Sequence, residues 1–184
     1  MFLDLHDRPP VFMPSEFRIR LAGEAWERAG YARLRREVFC LEQAIFQSDD
    51  RDAVDEIAVP IVAIAVVMGM PDRVVGTVRI HQAAAGLWYG SRLTVQRDFR
   101  RQAGLGAALI TLAVGTAQAR GCERFLAHVQ AQNVPLFERL HWRALAPVAL
   151  HGRPHRLMEA DLAHYPPCRS GELAPLRLSP VAAA

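Results

Sequence analysis

The stretch RLTVQRDFRRQAGLGAA, residues 92–108, constrains this chain more than any other. A short strand-like run (Leu93, Thr94, Val95) leads through a charged turn into Arg101-Gln102-Ala103-Gly104-Leu105-Gly106, and a helical apolar period starts at Leu105. Strand, glycine turn and helix start, in that order, make an anion site. The N–H groups of a first helical turn have no internal partners, and the helix dipole adds partial positive charge. Gly104 and Gly106 lack a Cβ, so a phosphate can come close to those amides. Arg100 and Arg101 supply charge-assisted donors. The stretch predicts a pyrophosphate cradle.

The elements around it narrow the ligand. Residues 17–21 alternate and suit a first strand, and residues 24–45 read as one helix with Leu34, Val38, Leu41 and Ile45 on a single face. Asp49, Asp50, Asp52, Asp55 and Glu56 crowd the loop that follows. Residues 61–68 are continuously apolar and predict a central strand, with an antiparallel strand at 74–80 after a turn, then the strand at 87–95. The helix that starts at Leu105 stops at Gly121 and acts as a crossover to a parallel strand at 124–130. A short helix at 135–140 and a hairpin of strands 143–150 and 155–162 complete the pattern. The fold class is α/β of the α+β kind, a mixed central sheet of about six or seven strands flanked by helices. One clear parallel crossover argues against a Rossmann fold, and the lack of GK[ST] argues against a P-loop.

At 184 residues the chain suggests one domain, read as an arm (1–16), a folded unit (17–162) and a tail (163–184). Cys40, Cys122 and Cys168 sit far apart without metal-ligand spacing and read as reduced thiols of a cytoplasmic protein. The apolar run 57–70 is short and contains Pro60, so no membrane association is expected. A net charge of +3 is only a weak pull on anions, and no nucleic-acid partner is expected. Lysine is absent, which excludes Schiff-base chemistry on this chain.

Four segments together resemble the GNAT superfamily of N-acetyltransferases. Val95-x-x-x-Phe99-Arg100-Arg101-x-x-Gly104-x-Gly106 resembles its acyl-CoA motif, R/Q-x-x-G-x-G/A. Leu34-Arg35-x-x-Val38-Phe39-x-x-Glu42-Gln43 is similar to its first helix, and Val75-Gly76-Thr77-Val78-Arg79-Ile80 to its third strand. Phe137-Glu138-Arg139-Leu140-His141-Trp142 stands where the family has Y-E-K-L-G-F. A lone G-x-G turn is a weak signal; four segments in register are a specific one. The likeness is greatest to a bacterial subfamily encoded beside nitrilase-type genes.

The resemblance implies a co-substrate, acetyl-CoA, and a small-molecule amine acceptor that attacks it directly, with no metal. It also implies a sheet that splays between the strands at 87–95 and 124–130. Leu93, Thr94 and Val95 would bind the pantetheine arm, and the Val95 amide would polarise the thioester carbonyl. The backbone of Arg101, Gln102, Ala103, Gly104, Leu105, Gly106 and Ala107, with Arg100, would hold the pyrophosphate. A non-catalytic acyl-CoA-binding module, or transfer to a protein N-terminus or lysine, are the rival readings.

A base is needed, because an alkyl amine with a pKa near 10.4 is less than about a thousandth neutral at pH 7. His128 matches a strand glutamate that serves as base in ribosomal-protein N-acetyltransferases, and a histidine suits the task; the alternative is a structural histidine. Glu42 is a second candidate base, or else a capping or ion-pairing residue. The family's acid, a tyrosine, falls at Phe137, which has no proton to give. Tyr89 would substitute, or water would protonate a thiolate whose pKa is about 8.5. Either Gln130 or Asn133 takes the position of the family's asparagine. The acids at 49–56 are a solvated loop or a lure for a cationic amine. His151 and His155 lack a third ligand for a metal, Cys40 and Cys122 read as core, and a homodimer through the last hairpin is plausible.

Overall fold

The computed structural model describes residues 13–102 and 104–178. Eight strands form one sheet in the order β6-β7-β5-β4-β3-β2-β1-β8. They are β1 (Glu16–Leu21), β2 (Val59–Val67), β3 (Met70–Ala84), β4 (Leu87–Val95), β5 (Arg124–Gln130), β6 (Trp142–Leu150), β7 (Arg153–Ala160) and β8 (Leu176–Arg177). Only β4 and β5 run parallel, joined by helix α2 (Leu105–Ala119); the other neighbours are antiparallel.

The apolar run of β2 is explained by its place. Ile61, Ala63 and Ala65 face α2, while Val62 and Ile64 face helix α1 (Ala25–Arg35), so both sides of the strand are covered. On the α2 side Leu105, Leu109, Leu112 and Ala113 pack into the core as their spacing predicts.

Two expectations change. The first helix is not continuous to residue 45. After Arg35 it widens into a π-helical stretch, Arg36–Glu42, and ends there. The wider turn shifts the phase of the buried face. Val38, Phe39 and Cys40 go inside, and Leu41, expected on the apolar stripe, is 69% exposed.

The second change concerns residues 163–178, read as a tail. They fold back over the domain and supply the eighth strand, which the expected six or seven omitted. β8 pairs with β1, Leu173 N–H donates to the Ile19 carbonyl, and Cys168 N–H donates to Gly115 O on the outer side of α2. That cover is why α2 also buries Gly115, against Pro166 and Cys168. The tail carried no apolar period, so the sequence concealed it. Of the arm, residues 1–12 lie outside the described residues, as do 179–184. Pro14 is buried, and Met13 packs on the core.

Tyr165 fastens the returning segment. Its ring is buried, its hydroxyl donates to the Leu140 carbonyl, and it accepts a 3.0 Å bond from Trp142 Nε1. Tyr165→Phe is expected to lower stability by about 1–3 kcal/mol, since the buried indole N–H loses its acceptor. Urea unfolding checks this, and an unchanged midpoint would show that the contact is idle.

Candidate active site

β4 and β5 pair only from Leu87–Gly90 against Arg124–Ala127, and beyond that they part. The cause lies on the other edge of β4. Ser91 is opposite Arg79 and Thr94 opposite Thr77, so Arg92 and Leu93 together oppose Val78 alone. This bulge sets Arg92 at φ +55°, a left-handed conformation that costs a non-glycine residue about 1–3 kcal/mol. The strand bends there and leaves its parallel neighbour. A cleft of about 1070 Å³ results, running from the N-terminus of α2 to the opposite face of the sheet.

On the α2 face several of the residues expected to form a cradle lie together. Gly104 is the N-cap of α2 at φ +119° and has no side chain to cap the helix, which leaves the amides of Leu105, Gly106 and Ala107 without intrahelical partners. A Cβ on Gly106 would meet only Leu136 Cδ2, at 3.9 Å, so the approach to its amide is open. Leu93, Thr94, Val95, Gly104, Leu105, Gly106 and Ala107 all line the cleft. Gln96 N–H donates to Val75 in β3 at 2.8 Å. N–H directions alternate along a strand, so Val95 N–H faces the gap.

Other positions differ from expectation. Arg100 lines the cleft, but its guanidinium is bound to Glu42 (Nη2–Oε2 2.7 Å) and, through Nε, to the Val95 carbonyl at 2.8 Å. It fixes the strand end rather than waiting for a phosphate. Arg101 is exposed on the rim, outside the cleft lining. Gln102 is buried and reaches Pro14 O at 3.3 Å. Ala103 lies outside the described residues. Gln130 and Asn133 both line the cleft. The amide of Gln130 is tied to Gln43 and Gln132, whereas Asn133 makes no capping bond to the helix it precedes, α3 (Val134–Arg139). Phe137 is buried, edge-on to Trp142 at 5.0 Å.

The opposite face carries the candidate proton-transfer groups. His81, Tyr89 and His128, on three adjacent strands, stack in a row with centroids 5.9 Å apart at each step. Burial, and then the nearby His155, lowers the His128 pKa from the usual 6.5, so its imidazole is neutral at pH 7. Glu42 is placed otherwise. The hydrogen bond from Arg100 holds its carboxyl below the usual range, and it does not line the cleft. An ion-paired carboxylate of this kind is a poor base.

Three acids of the loop, Asp50, Asp52 and Asp55, are paired with arginines, while Asp49 and Glu56 stay exposed. Arg35, itself buried, donates to Asp50 at 2.8 Å and to Asp55 and Tyr31. Arg79 holds Asp52 through both amino groups (2.7 and 2.9 Å) and reaches Asp55 at 2.8 Å. Arg92 binds the Asp50 carboxylate and carbonyl, both at 2.8 Å, and Asp52 at 3.1 Å. Burial alone would raise the Asp55 pKa; the bonds from Arg35, Asp52 N–H and Arg79 hold it far below the usual range. The residues were visible in the sequence, but their pairing across 15 to 42 positions was not. Neither His81 nor the part played by Arg79 and Arg92 was singled out beforehand. Cys40 and Cys122 are buried, with thiols that burial pushes up, Cys122 to about 11.

The model of the acetyltransferase (GNAT) family matches residues 22–142. The chain belongs to the GNAT family. The four sequence segments, residues 34–43, 75–80, 95–106 and 137–142, all fall within that span, and the family supports an acyltransferase, as they led one to expect. Among solved structures, the GNAT domain is similar to a candidate N-acetyltransferase from Lactobacillus plantarum (24% identity, TM-score 0.70, covering 79% of this chain and 98% of that one). It is also similar to Escherichia coli ElaA (16%, TM-score 0.65, 79% and 98%). A third similar structure is the CoA-dependent acyl-homoserine lactone synthase BjaI with SAM and isopentyl-CoA (19%, TM-score 0.61, 79% and 83%). At these identities the likeness speaks for the fold. No curated protein matches the sequence significantly. Among the described residues, no helix is long and apolar enough to cross a membrane, and no three His, Cys, Asp or Glu side chains are grouped to hold a metal.

Two measurements probe this site. Asp55→Asn is expected to cost about 3–5 kcal/mol at pH 7, because Arg35 and Arg79 lose a buried partner. A carboxyl with a depressed folded pKa stabilises above its unfolded value, near 3.8, and loses that contribution as pH falls. The gap in melting temperature between wild type and Asp55→Asn should therefore narrow below pH 4, and a gap constant down to pH 2 would contradict the ion-pair assignment. Gly106→Trp should weaken binding of coenzyme A by about tenfold or more, roughly 1.4 kcal/mol, with an unchanged melting temperature. Equal affinity would remove α2 from the cradle.

Proposed function

We propose that this GNAT protein moves the acetyl group of acetyl-CoA to the amine of a small molecule, by direct attack in a ternary complex. The observation that carries this reading is the cleft through the sheet, with an open helix N-terminus on one face and a neutral histidine on the other. The residues present fit coenzyme A. The α2 amides of Leu105–Ala107 would take its pyrophosphate, and the parted edge of β4 at Leu93–Val95 would take its pantetheine arm. Asn133, whose amide makes no hydrogen bond among the described residues, is better suited to a contact there than Gln130, which Gln43 and Gln132 hold.

When bound, acetyl-CoA supplies an activated thioester carbonyl. Val95 N–H, facing the gap, donates to that oxygen as negative charge builds on it. Arg100 holds this end of the strand in place by its bond to the Val95 carbonyl. His128 accepts the proton that the amine loses as the new C–N bond forms and the C–S bond breaks. The departing sulfur is protonated by Tyr89, which lies beside His128, or by water; Phe137 cannot serve.

The buried Phe137 favours a second reading, an acyl-CoA-binding module without catalysis. The isopentyl-CoA on BjaI motivates testing longer acyl chains as well. Incubation with acetyl-CoA, isopentyl-CoA and a panel of small amines, with free thiol followed, separates these readings. Amine-dependent thiol release from acetyl-CoA is expected. Binding without release for any acceptor would leave the non-catalytic reading. In the active enzyme, kcat/KM should rise with pH through an apparent pKa below 6.5, the limb belonging to His128. His128→Ala should abolish that limb and slow turnover by roughly 10²–10⁴-fold. An unaltered profile would take His128 out of the mechanism.

A further inference from the structure

The acceptor half of the cleft is basic and aromatic, and among the described residues no aspartate or glutamate lines it. Asp50 and Asp52, in the loop beside it, are taken up by guanidinium groups. Arg79 and Arg92 both line the cleft, Arg79 buried with all its nitrogens engaged and Arg92 partly exposed. A polycation such as a polyamine would meet the Arg92 guanidinium there and no carboxylate among the described lining residues.

Arg92 has donors to spare. Its Nε serves Asp50 and its Nη2 serves Asp50 and Asp52, while Nη1 has no acceptor among the described residues. Nη1 is not one of the enclosed, unpartnered atoms of the structure, and Arg92 lines the cleft, so its two N–H groups meet the open space. The guanidinium is fixed in place by three hydrogen bonds and by the rings of Phe46 (4.8 Å) and Phe39 (5.8 Å). Phe46 packs in turn on His151 at 4.9 Å, giving an aromatic wall beside the free donors. A rigid, half-satisfied guanidinium beside an apolar wall suits a carboxylate attached to an apolar body.

Building on the acetyl-transfer reading, we propose that the acceptor is an α-amino acid or close analogue, its carboxylate bound by Arg92 Nη1 and its side chain laid against Phe46. The arrangement also helps the chemistry. An ammonium group that enters beside a guanidinium and finds no carboxylate on the protein loses its proton more readily than in water. The row His81–Tyr89–His128 lies on the same face of the sheet, with neutral His128 as the receiver.

The test uses matched acceptors on the full-length protein: apolar and aromatic amino acids, each against its decarboxylated amine (phenylalanine against phenethylamine, for example), and spermidine, with thiol release followed. The carboxylate-bearing member should have a kcat/KM at least tenfold higher, and spermidine should be the poorest. Arg92→Gln should raise KM for the amino acid and bring the ratio within each pair close to one, and Arg92→Lys should keep part of it. Coenzyme A affinity, measured on each variant, shows whether the cleft stays open; should an Arg92 variant fail to fold or lose that affinity, the wild-type pairs alone decide the matter. Equal or faster turnover of the decarboxylated amines or of spermidine overturns the amino-acid assignment and leaves acetyl transfer standing. Thiol release with none of the acceptors, while acetyl-CoA still binds, overturns both.

Discussion

The parting of β4 from β5 depends on one strained residue and the ions that hold it. Arg92 takes a left-handed conformation at a bulge, which a β-strand arginine adopts only under constraint. The constraint comes from Asp50, which binds the Arg92 side chain by its carboxylate and its carbonyl and is itself gripped by buried Arg35. The network thus joins helix α1, the acidic loop and strands β3 and β4 into one unit. Three arginines and three aspartates balance in charge, which is what lets such a cluster be buried. If the bulge relaxed, β4 could run on beside β5 and the cleft would close.

A second ion pair fixes the far end of the same strand. Glu42 closes the widened helical stretch and holds Arg100, whose Nε occupies the carbonyl of Val95. Both groups were read from the sequence as site residues, one as a base and the other as a phosphate ligand. In the structure they are scaffolding for the Val95 amide. The π-helical stretch is part of this, since the widened turn ends the helix at Glu42 instead of carrying it on to residue 45.

How much was legible follows from the range of each interaction. The strand–turn–helix at 87–119 and the parallel strand after it were readable because each rests on local period and on glycine placement. The glycine-opened start of α2 at Gly104 and Gly106 was readable for the same reason. The strand formed by residues 176–177 was not, because its only reason to exist is the exposed edge of β1, some 160 residues away. Asp50, Asp52 and Asp55 were seen as a cluster, yet a loop of acids looks the same whether it meets water or three arginines. Leu41 was misplaced because a wider helical turn leaves no mark on the apolar spacing that precedes it.

The gap itself has a consequence for the protein as a solute. Unpaired strand edges invite other chains to add on, and most folds blunt them with charge, proline or cover. Here the freed edges of β4 and β5 face each other inside the sheet, each shielded by the other and by the walls of the cleft. A slender ligand arm with few branches can reach them. A polypeptide strand, which carries side chains above and below its plane, cannot enter without forcing both walls apart. The GNAT sheet can therefore keep backbone hydrogen-bonding groups unpaired without offering a template for aggregation.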